Sequence, residues 1–86
     1  MAQGKQLSAS IGPEALNAIK QMGAAVKRAR LASGEGQAMA ANRLGVHVQT
    51  VARIESGEPG VAIGHVLGLL ALYRISTRLD MPKGSE

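Results

Sequence analysis

The sequence predicts a small all-α domain, and three observations support that fold class. The 86 residues fit one domain of limited core size. Tyr73 is the only aromatic residue, so the core must consist of aliphatic and Ala side chains, which favour closely approaching helices over a sheet. Apolar residues also recur at intervals of three and four, the period of an amphipathic helix. We therefore predict a compact domain of five helices.

The first helix is predicted from Pro13 to about Ala32. Proline is tolerated at the first helical position, and the acidic Glu14 suits the positive end of the helix dipole. The segment "SGEG" then ends the helix. The apolar face of this helix consists of Leu16, Ile19, Met22, Gly23 and Val26.

Two short helices are predicted next. The Ala-rich segment 37–44 favours a second helix, and Gly45 ends it, since a left-handed backbone costs glycine little. A third helix is predicted to begin after His47 and to end at Ser56, with Gly57 as its terminator. These two segments are the candidates for a helix-turn-helix.

A fourth, nearly apolar helix is predicted over 61–73, and Ser76 is expected to cap a last short helix that runs through Asp80. Gly64 and Gly68 lie four residues apart on the fourth helix and permit close backbone approach, either within the domain or across a two-fold dimer.

The ends of the chain are small and polar, so we expect a flexible N-terminal arm over 1–12, a folded domain over 13–81 and a flexible tail over 82–86. The N-terminus lacks the apolar core of a secretory signal, and the longest apolar run is too short to span a bilayer. We expect a cytoplasmic protein with no membrane partner.

Catalysis and metal binding have little support in the sequence. The absence of Cys excludes a disulfide framework and a Cys-based zinc site. His47 and His65 have no companions at metal-ligand spacing, and neither a nucleophile turn nor a phosphate loop occurs. We expect no enzyme activity, no metal and no cofactor.

Positive charge is concentrated in the first two thirds of the chain. The formal net charge is +4, and the stretch from Lys20 to Arg53 contains six cationic residues and one acidic residue, Glu35. A basic region on a small domain is typical of polyanion binding, although a merely solvated basic face fits the same charge. We interpret four of these cations as solubility charges, some of which steer DNA encounter: Lys20, Lys27, Arg28 and Arg43.

The third helix is predicted to carry two faces. A step of 100° per residue directs Val51 and Ile54 toward the core. The opposite face is predicted to hold Val48, Gln49, Ala52 and Arg53, with Thr50 at its flank. A guanidinium can pair with guanine and an amide with adenine, so this face suits base edges. Val48 and Ala52 either reach thymine methyls or simply leave room for the groove.

The segments "MGAAVKRAR" and "GQAMAANRLGVHVQTVARIESG", followed by an apolar helix, resemble the phage-repressor, or Xre/Cro, helix-turn-helix family. The resemblance runs from Met22 to about Leu72 and depends on the joint spacing of small and apolar positions. It implies a lambda-repressor-like domain. The positions that carry it are Gln37, Ala41, Gly45, Val46, Val51, Ile54 and Glu55.

The resemblance also implies roles for individual residues. Gln37 is expected to contact a phosphate and to brace the third helix, and Thr50 to contact the DNA backbone. Arg30 of the first helix is expected to pair with Glu55, which lies unfavourably near a helix C-terminus and needs a cation. The residues expected to face bases are Val48, Gln49 and Arg53.

Three positions depart from the family pattern. Gly36 and His47 stand where a capping Ser or Thr is usual. Ala40 replaces a larger Leu, so Met39 or the fourth helix must fill the volume.

These features predict a sequence-specific, DNA-binding transcriptional regulator, most simply a repressor. It is expected to bind an inverted-repeat operator on double-stranded DNA as a homodimer, which the apolar residues Tyr73 and Ile75 also favour. The alternative is a HipB-like antitoxin, which binds a toxin protein and represses its own operon. An RNA-binding domain fits less well, because aromatic stacking residues are missing.

Overall fold

The computed structural model describes residues 10–84. Residues 1–9 of the expected arm and residues 85–86 of the expected tail lie outside this range. Ser10 and Ile11 are helical and precede a break at Gly12. The described chain then forms α1 (Pro13–Ala32), α2 (Gln37–Leu44), α3 (Val48–Glu55) and α4 (Ile63–Leu72).

Helix α1 is the long scaffold helix of the domain. Pro13 occupies its first turn together with Glu14. At the other end, the backbone N–H of Ser33 donates to carbonyls of the last turn, and Gly34 follows with a φ of 73°. Local residue chemistry therefore sets both ends of this helix.

Helices α2 and α3 are joined by a tight turn. Gly45 has a φ of 83°, and its N–H donates to the carbonyl of Ala41 at 2.8 Å. The N–H of Val46 donates to the same carbonyl at 3.0 Å. This left-handed cap redirects the chain within three residues, so α3 begins at Val48.

The predicted fifth helix is wrong, because residues 75–82 have no regular secondary structure. Helix α4 ends where Arg74 takes a φ of 59°, and the N–H of Ile75 donates back to Leu70 at 2.9 Å. A five-residue helix would carry the cost of nucleation and gain no buried face, since Leu79 is 90% and Met81 72% exposed.

The core lies where α1 and α2 both contact α3 and α4. It consists of small and aliphatic side chains, as the lack of aromatics predicts. Its buried members are Val26, Ala40, Ala41, Val51, Ile54, Val66, Leu69 and Leu70.

Two glycines allow the backbone of α1 to lie in contact with the backbone at the end of α3 and just after it. A Cβ on Gly23 would collide with the carbonyl oxygen of Ile54 and would lie 3.0 Å from that of Glu55. A Cβ on Gly57 would lie 3.0 Å from the Cα of Lys20. Contacts between backbones cannot be relieved by a side-chain rotation, so these two positions help to fix the angle of α3 on α1.

Position 40 carries Ala where the family pattern has the larger Leu, and α4 packs beside it. Ala40 is fully buried, whereas Met39 is exposed and cannot fill the space. Helix α4 contacts α2, and a Cβ on Gly68 would lie 3.0 Å from the Cδ1 of Leu44. Helix α4 thus packs closely on α2, and its buried side chains share the core with Ala40.

Within residues 10–84, no helix has the length and apolar character needed to cross a membrane.

Candidate nucleic-acid interface

Helix α3 presents one buried face and one outward face. Val51 and Ile54 are buried in the core. On the other side Val48, Gln49 and Arg53 are exposed. Thr50 and Ala52 are half-buried at its margins. The structure thus brings together on one surface the side chains that the sequence predicts to face DNA.

A buried ion pair holds α3 against α1. The guanidinium of Arg30 donates from Nε to Oε2 of Glu55 at 2.6 Å and from Nη2 to Oε1 at 2.9 Å. The two side chains are only 6% and 4% exposed. Two parallel bonds between planar groups fix orientation as well as distance, so α3 is oriented by its own last residue.

Gln37 is the third member of this group. Its Nε2 donates to Oε1 of Glu55 at 3.0 Å, and Arg30 also donates from Nη1 to the carbonyl of Glu35 at 2.8 Å. Gln37 therefore ties the start of α2 to the end of α3. Its side-chain amide uses one of its two N–H donors on Glu55, so the second one and the backbone N–H at the start of α2 remain as donors.

Arg53 is held at the surface by an acidic residue that follows α3. Its Nε donates to Oε1 of Glu58 at 2.8 Å, and the two side chains are 50% and 49% exposed. The terminal nitrogens of Arg53 donate no hydrogen bond to any residue in 10–84. They remain able to donate to a ligand.

Comparison with known protein families identifies a helix-turn-helix match. Residues 21–80 match a family model described as a helix-turn-helix domain, and the match covers well over half of the 86 residues. The chain belongs to this helix-turn-helix family. Comparisons with curated proteins and with solved structures find no significant match. Membership indicates a DNA-binding protein, with α2 and α3 as the motif.

A second polar cluster links α2 to the residues before α2 and after α4. It was not predicted from the sequence. Arg43 donates to Oε2 of Glu35 at 2.7 Å, and the hydroxyl of Tyr73 donates to Oε1 at 2.7 Å. The Arg43 guanidinium also lies 5.7 Å from the centroid of the Tyr73 ring, within cation–π range. Arg43, interpreted from sequence as a solubility charge, is thus part of a structural cluster.

The carboxyl groups of both clusters have lowered pKa values. Burial alone would raise the pKa of Glu55, but hydrogen bonds from Arg30 and Gln37 and the charge of Arg30 outweigh it. The hydrogen bond from Tyr73 is the main cause that lowers the pKa of Glu35, with Arg43 adding to it. Burial and the neighbouring Glu35 raise the pKa of Tyr73.

Neither motif helix has a side-chain cap at its N-terminus. Gly36 precedes α2 and His47 precedes α3, and neither makes a capping bond from its side chain. This agrees with the loss of the usual Ser or Thr at these positions. The first backbone N–H groups of both helices are therefore not occupied by a capping side chain.

The apolar residues used to predict a dimer have other surroundings. Tyr73 is bonded to Glu35, and Ile75 packs against the core. The exposed apolar side chains of α4 are instead Ile63 and Leu67, one turn apart, and a Cβ on Gly64 would meet no atom within 4 Å. His65 is exposed on the same helix. Gly68, by contrast, serves packing within the domain.

Proposed function

We propose that this protein is a sequence-specific, Xre/Cro-like transcriptional repressor that inserts α3 into the major groove. The observation that supports it best is the outward face of α3, where Gln49 and Arg53 stand exposed beside small apolar groups. An α-helix fits the major groove, and amide and guanidinium groups match adenine and guanine edges. The activity is one of binding rather than catalysis.

Rigid support of α3 favours this proposal. Base recognition needs side chains held in register, and α3 is fixed by the pair of Arg30 with Glu55 and by backbone contact with α1 at Gly23. Phosphate contacts are assigned to the start of α2 near Gln37 and to Thr50 at the margin of α3.

Operator binding by a homodimer is part of the proposal. One α3 covers a single half-site, so two-fold symmetry would place two of them in successive major grooves, about 34–36 Å apart. Ile63, Gly64 and Leu67 on α4 supply an exposed apolar surface for such a contact.

Selection of bound duplexes from a random DNA pool at near-physiological salt tests the proposal. We expect recovery of an inverted repeat whose half-site centres are about 10 base pairs apart. Recovery of unrelated sequences with no shared half-site would reject sequence-specific binding. A single unrepeated site bound by a monomer would reject the dimer alone.

Two substitutions separate base recognition from general charge attraction. Arg53→Ala is expected to cost about 1–3 kcal/mol on the selected operator and to relax preference at one base position. Lys27→Ala is expected to weaken all duplexes alike and to reduce the salt slope by about 1. Titrations of operator and random duplex at several salt concentrations check both. Equal losses on the two duplexes for Arg53→Ala would contradict its assignment to a base.

A second candidate function is that of an antitoxin which binds a toxin protein and represses its own operon. It is favoured by Leu79 and Met81, which are 90% and 72% exposed in a segment without regular structure. Such a segment can order on a protein partner. Co-purification with the product of a neighbouring gene, lost in a Leu79→Ser/Met81→Ser variant, would support this function. Full repression by the protein in a host without that gene would count against it.

A further inference from the structure

We propose that Glu58 is a positioning residue that sets the orientation of Arg53 and thereby sharpens base selection. This inference rests on the proposed function. The carboxylate of Glu58 accepts from Nε of Arg53 at 2.8 Å. Glu58 lies outside α3, so it adds an element of recognition that the helix alone does not contain.

The backbone fixes Glu58 relative to Arg53. The N–H of Glu58 donates to the carbonyl oxygen of Arg53 at 3.1 Å, so the two residues are joined through main chain and side chain. Gly57 between α3 and Glu58 is buried against Lys20 with a φ of 79°. The Glu58 carboxylate therefore starts from an anchored turn and not from a free loop.

Gly60 also lies beside the Arg53 guanidinium. A Cβ on Gly60 would lie 3.7 Å from Nη2 of Arg53, an ordinary van der Waals distance. The guanidinium is thus flanked by the turn that carries Glu58 and Gly60.

The bonding of Nε determines which edge of the guanidinium can recognise a base. Arginine has five N–H donors in a rigid plane, and the bond to Glu58 uses the one on Nε. The donors on Nη1 and Nη2 have no acceptor within residues 10–84, and this pair of nitrogens can bond O6 and N7 of one guanine. A carboxylate on Nε also makes a phosphate a less favourable alternative partner for Arg53.

The two effects of Glu58 on DNA binding have opposite signs. Its negative charge near the DNA weakens attraction to every duplex. Its hydrogen bond restricts the rotamers of Arg53 and so lowers the ordering cost of the guanine contact. Removal of Glu58 should therefore strengthen binding to random duplex and reduce the preference for operator. Loss of the charge alone would strengthen binding to both duplexes alike and leave the preference for operator unchanged.

The test compares Glu58→Ala, Glu58→Gln and Arg53→Ala on the selected operator, on operator with the Arg53-dependent guanine replaced, and on random duplex. Both side chains are half exposed, so loss of the pair should leave folding intact. Asp80→Ala, which removes an exposed acid near the C-terminus, is the control for charge alone.

Glu58→Ala is expected to lower the ratio of operator to random affinity by about 3- to 10-fold, a fraction of what one bidentate base contact supplies. It should also raise affinity for random duplex. Glu58→Gln keeps an oxygen acceptor for Nε and should recover much of the ratio, while random affinity stays raised. In an Arg53→Ala background, Glu58→Ala should leave the ratio unchanged.

The outcomes separate the two proposals. An unchanged or increased ratio in Glu58→Ala, beside a lowered ratio in Arg53→Ala, would overturn the role of Glu58 and leave the repressor proposal standing. An undiminished effect of Glu58→Ala in the Arg53→Ala background would also overturn it. Absence of any operator preference in the unmodified protein would overturn both proposals.

Discussion

Arg30 and Glu55 show how a charged pair can be kept inside a small domain. The carboxylate accepts two bonds from Arg30 and one from Gln37, while the remaining guanidinium nitrogen donates to a backbone carbonyl. Within residues 10–84, no buried side-chain nitrogen or oxygen lacks a hydrogen-bond partner. Full pairing offsets the desolvation of the two charges, and the pair depends on both partners.

Glu55→Ala is expected to destabilise the domain by about 3–5 kcal/mol, because Arg30 would stay buried with its charge unpaired. Denaturation in urea, followed by circular dichroism, measures this change. The loss is large beside the total stability of about 5–15 kcal/mol that native proteins typically have.

Two variants serve as controls for Glu55→Ala. Glu58→Ala breaks an exposed ion pair and should cost less than about 1 kcal/mol. Arg30→Met combined with Glu55→Leu removes both charges and should recover much of the stability lost in the single variant. A loss below about 1 kcal/mol in Glu55→Ala would contradict the importance of the pair.

Sequence reasoning reached some of these residues and not others. The ion pair of Arg30 with Glu55 followed from the family resemblance, and the face of α3 followed from helical periodicity. The bond from Arg53 to Glu58 depends on the path of the turn after Gly57. The contacts of Glu35 depend on where α4 ends. Neither path is encoded in a periodic pattern, so neither contact was predicted.

At the scale of the elements, contact between α1 and α3 decides where the candidate recognition surface points. Gly23 lies in the middle of α1 and faces the backbone of Ile54 and Glu55. Glycine in a helix interior costs roughly 0.5–1 kcal/mol relative to alanine. The structure accounts for its presence here, since any side chain would push α3 away.

Gly23→Ala is therefore expected to destabilise the domain by about 1–3 kcal/mol despite the better helix propensity of alanine. Gly64→Ala is the control, measured at a protein concentration low enough to keep the chain monomeric because Gly64 lies on the proposed dimer surface. Its Cβ would meet no atom within 4 Å and should leave stability unchanged or raise it by at most about 1 kcal/mol. Thermal unfolding of both variants checks the difference. A stabilised Gly23→Ala protein would refute the close approach of α1 and α3.

Helix boundaries were predictable wherever the chain carries a local stop signal. Gly45 and Gly57 have positive φ, and the helices before them end within a residue of the predicted positions. The failure at residues 76–80 has a different origin. A capping Ser gave a local start signal there, but the apolar side chains of this segment, Leu79 and Met81, are 90% and 72% exposed and add no burial to support a helix. Burial, which a local pattern does not contain, decided the outcome.

At the scale of the whole molecule, one chain of polar contacts connects α1, α2 and α3 with Tyr73, the residue that follows α4. Gln37 and Arg30 both donate to Glu55, and Arg30 also donates to the backbone carbonyl of Glu35. The side chain of Glu35 then bonds Arg43 on α2 and Tyr73 after α4. Ionised carboxylates are required at both centres, so the stability of the domain should depend on pH.

A loss of stability at acid pH follows from the lowered pKa values of Glu55 and Glu35. A carboxyl whose pKa is lower in the folded protein contributes its full stabilisation above the pKa that it has in the unfolded chain, about 4.3 for Glu. That contribution is lost as pH falls through the folded value. We expect the free energy of unfolding to decrease below about pH 5, as measured by urea denaturation at a series of pH values. A flat profile down to pH 3 would contradict this.

A loss of stability at alkaline pH follows from the raised pKa of Tyr73. The contribution of Tyr73 to stability is present below its pKa in the unfolded chain, about 10, and is lost as pH rises through its pKa in the folded protein. Tyr73→Phe should therefore lower the free energy of unfolding at neutral pH by about 1 kcal/mol. The difference in this free energy between the variant and the unmodified protein should become smaller at high pH. Comparison of the two proteins cancels the titration of lysines common to both.

Tyr73 also gives the molecule an intrinsic spectroscopic reporter. It is the sole aromatic side chain of the sequence, and its hydroxyl is bonded to a carboxylate in the folded domain. Ultraviolet emission from the unlabelled protein therefore comes from a single ring. Its change on denaturation reports on the surroundings of Tyr73, which include the hydrogen bond to Glu35, without an added fluorophore.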